Sequence, residues 1–204
     1  MVSAFEPEIA PLRRLVRARP EVRLAAVGIG AVDAAAGAAR AIASSGAGRV
    51  VFVGTAGVYA PGFAALPVGA VGVAAEIHLV STAALRGDGY LPQPLIVEEA
   101  TSPALRAGLA ALTGNEPVAV ACPLAITSSA ALARRIAKAT GASLENLEIF
   151  AIARACRAAK IPFAALLAVT NRVGPSGNRQ WRAHHREASR AACRLMAAFL
   201  DHRA

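Results

Sequence analysis

Two polar side chains stand out because each lies beside a strongly apolar run. Glu148 occurs in LENLEIFAIARAC, between Leu147 and Ile149. A carboxylate there either complements the positive end of a helix dipole or, if it is buried, needs hydrogen-bond donors, which the vicinal hydroxyls of a sugar would provide. Asn171 follows the apolar run FAALLAVT. Its amide either forms a turn or presents a donor and an acceptor to a ligand.

Two glycine-containing turns also follow apolar runs. Gly54-Thr55-Ala56-Gly57 comes after RVVFV, and it either ends a strand or exposes backbone N–H groups and one hydroxyl to a polar molecule. Gly28-x-Gly30 resembles half of a dinucleotide fingerprint, but Asp33 occupies the third glycine position and no acidic residue ends the next strand. We interpret this second turn as one that lets the backbone approach a ligand or a neighbouring strand.

The other chemically versatile side chains form no set with a functional spacing. His184 and His185 have no second histidine or cysteine three or four residues away, so we interpret them as surface residues of a helix. Arg172, Arg179 and Trp181 form either a surface for an anion and a ring or a solvated loop. No Ser-His-Asp or Cys-His arrangement can be assembled. We therefore expect neither a metal ion nor a cofactor.

The elements that position these residues alternate along the chain. Short apolar runs predict strands, and alanine-rich segments predict helices. The predicted strands are 2–5, 23–28, 49–54, 68–73, 75–82, 118–122, 124–127 and 163–170, and the predicted helices are 7–17, 32–43, 102–112, 129–139, 147–159 and 180–200. Fully apolar strands need cover on both faces, so we predict an α/β fold with three layers, αβα, around a central mixed sheet. Ligands of such sheets bind beyond the carboxyl ends of the strands, where the residues above fall.

Length and composition narrow the class of protein further. The 204 residues are typical of a single domain, and 55% hydrophobic residues suffice for a core. The longest uncharged run, residues 50–75, contains five glycines and two prolines, so we predict no membrane-spanning helix. The net charge is +9, but the arginines at 182, 186, 190 and 194 have helical spacing and aromatic residues make up only 4%. We therefore predict a solvated basic face and no nucleic-acid partner.

The cysteines and the N-terminus bear on the compartment. Cys122, Cys156 and Cys193 are odd in number, widely spaced and without a CxxC pattern, so we expect structural thiols in a reducing compartment. Glu6 and Glu8 interrupt any basic-then-apolar signal pattern at the N-terminus. Both observations favour a cytoplasmic protein.

Five segments, taken in order, resemble those of the purine nucleoside phosphorylase and nucleosidase superfamily. They are AFEPE (4–8), GIGAVDAA (28–35), VGTAG (53–57), NLEIFAIA (146–153) and AVTNRVG (168–174). The resemblance covers nearly the whole chain and is closest to the hydrolytic branch, the methylthioadenosine/S-adenosylhomocysteine nucleosidases and futalosine hydrolases. NRVGPSGNRQW is most similar to futalosine hydrolases. The resemblance implies the phosphorylase/hydrolase-like αβα fold.

The resemblance implies roles for residues at the first and third strands. Glu8 falls at the position of the glutamate that activates the attacking water, and Phe5 at that of a residue packing near the ribose. Thr55, Ala56 and Gly57 match a turn that keeps a hydroxyl near this water. These residues would serve the attack on the sugar carbon.

The resemblance also implies how the nucleoside is held. Leu147 and Glu148 match the segment whose glutamate binds the ribose hydroxyls, and Asn171 matches the residue that contacts the purine. An amide can accept a hydrogen bond from a protonated N7 and donate one to a 6-oxo group, so Asn171 favours 6-oxopurines such as the hypoxanthine of futalosine. The leaving base would be stabilised in this way.

The predicted activity is hydrolysis of the N-glycosidic bond of a purine nucleoside, with futalosine or a near relative as substrate. Neither AFEPE nor GIGAVDA has the Gly-Arg or Gly-Ser pattern of a phosphate site, which favours hydrolysis over phosphorolysis. The alternatives are a phosphorylase, a methylthioadenosine-type nucleosidase and a non-catalytic member that binds a nucleoside. Because family members are generally dimers or larger, we expect a homodimer.

Overall fold

A computed structural model describes residues 1–59 and 66–202 of the chain. Strands and helices alternate within these residues. The strands are β1 (Val2–Ser3), β2 (Ala25–Ala26), β3 (Val50–Val58), β4 (Val71–Val80), β5 (Glu98–Ala100), β6 (Val118–Pro123), β7 (Leu144–Glu145) and β8 (Phe163–Arg172). The helices are α1 (Glu6–Leu15), α2 (Ala31–Ser45), α3 (Thr82–Arg86), α4 (Pro103–Thr113), α5 (Ala130–Thr140), α6 (Ile149–Ala158) and α7 (Gly177–Asp201).

These strands form one mixed sheet. β3 and β8 are parallel neighbours from the Val50–Phe163 pair to the Val58–Arg172 pair. β4 pairs antiparallel with β8 and parallel with β6, and β7 links β6 back to β3. Strands β3, β8, β4, β6 and β7 therefore close into a ring, while β1 and β2 extend beyond β3 and β5 lies beside β4.

Helices cover both faces of this sheet. Val51 and Val53 of β3 pack in a core with α1, α4 and α7, whereas Val50 and Phe52 pack in a core with α2 and α6. All four side chains are buried, which is why the strand is apolar at every position instead of alternating. The predicted α/β fold, with a central mixed sheet between helical layers, is confirmed.

The sequence predicts two strands, at 68–73 and 75–82, where the structure has the single strand β4. The first part of β4 pairs with β8, and the later part pairs with β6 and β5 across an irregularity between Ala74 and Ile77. The burial pattern changes with the neighbours, from continuous to partly exposed. Because of this change the sequence pattern predicts two strands, although the backbone forms one continuous strand.

The strand predicted at 124–127 is wrong. Pro123 ends β6, and the backbone N–H of Thr127 donates to the Glu145 carboxylate at 3.0 Å instead of to another strand. An acceptor from a side chain thus replaces a neighbouring strand. The short elements α3, β5 and β7 were not predicted, because two to five residues are too few to establish a period.

Two predictions from composition are also reflected in the structure. The cysteines are free thiols and all are buried. The arginines at 182, 186, 190 and 194 lie exposed along α7. Within residues 1–59 and 66–202, no helix combines the length and apolar character required to cross a membrane.

Candidate active site

A cavity of about 260 Å³ opens near the carboxyl ends of β1, β3 and β8. Parallel neighbours end at one edge of a sheet, so residues far apart in sequence meet there. The structure brings all eight residues of the predicted site to this cavity: Phe5, Glu8, Thr55, Ala56, Gly57, Leu147, Glu148 and Asn171.

Glu8 lies in the first turns of α1 and is 3% exposed. Its Oε1 accepts hydrogen bonds from the backbone N–H of Thr55 at 3.1 Å and from the Thr55 hydroxyl at 2.6 Å, and its Oε2 accepts from the Ser3 hydroxyl at 2.8 Å. A carboxylate has about four acceptor sites. These hydrogen bonds occupy three acceptor sites of the Glu8 carboxylate and fix the direction in which the fourth site points.

Burial, with a smaller contribution from the negative charge of Glu148, raises the pKa of Glu8 to about 7. The hydrogen bonds from Thr55 and Ser3 act in the opposite direction, because they stabilise the ionised form. A carboxylate with a pKa near neutrality is suited to take a proton from water.

Glu148 stands immediately before α6 and is 5% exposed. Its Oε1 accepts a hydrogen bond from the backbone N–H of Gly30 at 2.9 Å. Burial raises the pKa of this carboxyl group above its usual value, and the N–H of Gly30 partly offsets that effect. The turn at Gly28 and Gly30, both with positive φ angles, thus brings a backbone donor to Glu148.

Asn146 connects the two carboxylates. Its Oδ1 accepts hydrogen bonds from the backbone N–H groups of Glu148 and Ile149, both at 2.9 Å, and its Nδ2 donates to the Thr55 carbonyl at 3.1 Å. The predicted helix at 147–159 starts only at Ile149, where the Asn146 side chain satisfies the N–H groups of Glu148 and Ile149. One buried amide fixes the position of Glu148 relative to β3.

Asn171 lies near the end of β8, where pairing with β3 shifts register between Ala56 and Gly57. Its Oδ1 accepts from the Thr170 hydroxyl at 2.7 Å, and its Nδ2 donates to the Arg172 carbonyl at 3.1 Å. A carbonyl only accepts, so Arg172 fixes which side of the amide carries the NH₂ group. A Cβ on residue 57 would lie 2.9 Å from Asn171 Nδ2, which explains glycine at that position.

Apolar side chains form the remaining walls. Phe5, Leu147 and Ile29 line the cavity with Trp181 of α7. The Trp181 ring lies 6.2 Å from the Phe5 ring between centroids, and its Nε1 donates to the Thr55 hydroxyl at 3.2 Å. Of the two interpretations of Trp181, the structure supports a ring surface.

Glu145 is a third buried carboxylate at the cavity wall, and it was not among the predicted site residues. Its Oε2 accepts from the Tyr59 hydroxyl at 2.8 Å, and its Oε1 accepts from the Thr127 backbone. These contacts hold the segment that carries Ile126 to the cavity. Burial raises the pKa of Tyr59, and the charge of Glu145 adds to this, so the phenol stays protonated.

The residues that sequence reasoning missed are Asn146 and Glu145, although both lie within the segment LENLEIFAIARAC that was singled out for Glu148. A signal exists in retrospect, since ENLE places three polar residues in an otherwise apolar region. His184 is exposed as predicted. His185 is half-buried, and its ring stacks on that of Trp181 with 4.4 Å between the ring centroids. Among the described residues, no group of three or more His, Cys, Asp or Glu side chains is arranged to hold a metal.

A match to a protein-family model identifies the family to which the chain belongs. The model of the phosphorylase superfamily matches residues 12–202. The chain belongs to the phosphorylase superfamily. The predicted superfamily is therefore confirmed, over nearly the full length of the sequence.

This superfamily member is similar to the futalosine hydrolase of Streptomyces coelicolor, with 34% identity over 139 residues, which are 65% of this chain and 57% of the relative. The matched region thus spans little more than half the relative's length. Its fold is similar to that of a futalosine hydrolase mutant from Helicobacter pylori, with a TM-score of 0.84, 18% identity and coverage of 98% and 97%.

A second solved structure has the same fold. It is the 5′-methylthioadenosine/S-adenosylhomocysteine nucleosidase of Neisseria meningitidis in complex with methylthio-immucillin-A, with a TM-score of 0.80, 22% identity and coverage of 98% of this chain and 96% of that chain. At these identities the likeness to solved structures establishes the fold.

Proposed function

We propose that the chain hydrolyses the N-glycosidic bond of a purine nucleoside. The observation that carries this proposal is the pairing, in one cavity, of Glu8 with a pKa near neutrality and Glu148 beside it. The similarity to a futalosine hydrolase adds support and favours futalosine or a near relative as the substrate.

In the proposed reaction Glu8 removes a proton from water as the water oxygen attacks the anomeric carbon. The bond from that carbon to the purine nitrogen breaks, and its electron pair leaves with the base. Asn171 stabilises the base by accepting a hydrogen bond from a protonated N7 and donating one to a 6-oxo group. Asn171 itself supplies no proton, so N7 takes its proton from solvent.

Hydrolysis is favoured over phosphorolysis by the charge of the cavity. Among the described residues that line it, none is lysine or arginine, whereas Glu8, Glu145 and Glu148 are acidic. A phosphate dianion next to these buried groups would lack a compensating cation. Neutral water is the nucleophile that suits this environment.

We assign Glu148 to the ribose 2′ and 3′ hydroxyls, and we expect 2′-deoxynucleosides to be poor substrates. Hydrogen bonds to a charged acceptor contribute enough that kcat/KM for a ribonucleoside should exceed that for its 2′-deoxy counterpart by about 10–100-fold. Steady-state kinetics with inosine and 2′-deoxyinosine measure this ratio. The ratio of the two kcat/KM values should be smaller in Glu148→Gln. Equal kcat/KM values for inosine and 2′-deoxyinosine in the unmodified enzyme would refute the assignment.

A substrate panel tests the proposed function. Purified protein is incubated with inosine, futalosine and methylthioadenosine, and release of the free base is measured by chromatography. We expect release from the 6-oxopurine nucleosides, with futalosine the best of the three. Preference for methylthioadenosine would indicate the methylthioadenosine-type alternative, and release from none would favour a non-catalytic nucleoside-binding member.

We further propose that the chain forms a homodimer. Ile29 and Ile126 line the cavity yet are 62% and 61% exposed, and their chain neighbours Val32 and Leu124 are 81% and 72% exposed. Contact with a second copy would remove this apolar surface from water. Light scattering during size-exclusion chromatography should give twice the chain mass, and a monomer at every concentration would contradict the proposal.

A further inference from the structure

The indole of Trp181 contacts the same hydroxyl group that binds Glu8. Trp181 Nε1 donates to Thr55 Oγ1 at 3.2 Å, and Thr55 Oγ1 donates to Glu8 Oε1 at 2.6 Å. An indole N–H is a donor only, and a threonine hydroxyl has a single hydrogen. Because the indole occupies a lone pair of the hydroxyl oxygen, the hydroxyl hydrogen is directed to Glu8.

Contacts within α7 and with the residue before α1 hold the indole in place. The His185 ring stacks on Trp181 with 4.4 Å between centroids and 17° between planes. His185 Nδ1 lies 3.1 Å from the Trp181 carbonyl oxygen one helical turn earlier, and Phe5, which precedes α1, packs against the indole at a tilt. The direction of the indole N–H is therefore fixed by packing.

We propose that Trp181 is a positioning residue that directs the hydroxyl hydrogen of Thr55 onto the Glu8 carboxylate. The inference rests on the proposed function, in which Glu8 is the base. A hydrogen bond donated to a carboxylate favours its ionised form. Acting through Thr55, the indole helps to keep Glu8 able to accept a proton.

Other groups face Glu8 from each element around it. They are the hydroxyl of Ser3 on β1, the backbone N–H of Thr55 on β3, the carboxylate of Glu148 before α6 and the thiol of Cys193 on α7, which donates to the Glu8 carbonyl at 3.3 Å. Trp181 makes none of these contacts. Trp181→Phe therefore keeps an aromatic ring in the wall and removes the hydrogen bond to the Thr55 hydroxyl, while these four contacts of Glu8 are retained.

Fluorescence gives a test that does not depend on turnover, because Trp181 is the sole tryptophan of the chain. Emission is titrated through neutral pH in the unmodified protein, in Glu8→Gln and in Thr55→Val. We expect a step in the unmodified protein that both variants lack. Identical titrations in all three proteins would overturn the inference.

The pH profile of Trp181→Phe gives the second test. The acid limb of kcat/KM should move to higher pH by about 0.5–1 unit, because the ionised form of Glu8 loses part of its stabilisation. In a Thr55→Val background the same substitution should cause no further movement. If the acid limb stays at the same pH and only KM rises, the inference is overturned, because Trp181 would then act only as part of the cavity wall.

The two tests separate this inference from the proposed function. If Glu8→Gln retains full turnover, the proposed role of Glu8 as the base fails, whatever the fluorescence shows. If Glu8→Gln is inactive and the acid limb of the Trp181→Phe pH profile does not move, the proposed function stands and the positioning role of Trp181 fails.

Discussion

Replacing Glu8 with glutamine is expected to lower kcat by about 10²–10⁴-fold, the usual contribution of a positioned proton acceptor. Glutamine has nearly the same shape, and its oxygen can still accept from Thr55, so the cavity should keep its form. The amide cannot take a proton from water at neutral pH. Steady-state kinetics with the best nucleoside of the panel measure the loss.

A matched control lies two residues away on the same helix. Glu6 is half-exposed and pairs with Arg13 at 2.6 Å, so Glu6→Gln makes the same chemical change outside the cavity. We expect this variant to retain normal turnover. Equal losses in the two variants, or full turnover in Glu8→Gln, would refute the assignment of Glu8 as the base.

The pH dependence has a defined sign. Burial raises the pKa of Glu8 to about 7, and only the ionised carboxylate can accept a proton. The kcat/KM should therefore be constant above this pH and fall as the pH decreases through about 7. A profile that continues flat well into the acid range would mean that the base is another group.

The second large expected effect concerns which purine the site prefers in its substrate. The Arg172 carbonyl holds the NH₂ group of Asn171 on one side, so the amide has a fixed donor side and a fixed acceptor side. A 6-oxopurine with a protonated N7 matches both, whereas the amino group of adenine presents a donor to a donor. Sites built around a hydrogen bond discriminate strongly, and we expect kcat/KM to favour the 6-oxo nucleoside by about 10²–10⁴-fold.

Asn171→Asp should reverse or abolish this preference, because the carboxylate replaces the donor with an acceptor. The ratio of kcat/KM for matched 6-oxo and 6-amino nucleosides is measured in both proteins. Asn178→Asp is the matched control, since Asn178 also lines the cavity and the charge change is the same. A ratio that stays unchanged in Asn171→Asp, or shifts equally in the control, would show that Asn171 does not select the base.

The fold could be anticipated because it depends on strong local signals, whereas the site residues were predicted from the resemblance of five segments to a known superfamily. The apolar runs of β3 and β8 required helices on both faces, and residues after parallel strands necessarily meet at one edge. Parallel pairing of β1 and β8 with β3 brings Glu8 and Asn171 to this edge. Glu148 instead follows β7, which is antiparallel to β3, and the hydrogen bond from Asn146 to the Thr55 carbonyl holds its segment beside β3.

The contacts within the site could not be anticipated, because they join distant positions through side-chain geometry. Asn146 bonds to Thr55, which lies 91 residues earlier, and Glu145 bonds to Tyr59, 86 residues earlier. The pattern of residues 124–127 predicts a strand, whereas the backbone N–H of Thr127 is bound by the Glu145 carboxylate. No periodicity in the sequence reports a partner of this kind.

The most direct test of the central claim is whether cleavage requires phosphate. Release of the purine base from the best substrate is followed with and without inorganic phosphate, and the sugar product is identified by mass spectrometry. The cavity walls present acidic and neutral side chains to the nucleoside, so we expect equal rates in both conditions and free sugar as the product. Cleavage that needs phosphate and yields a sugar 1-phosphate would contradict the proposal that Glu8 activates water.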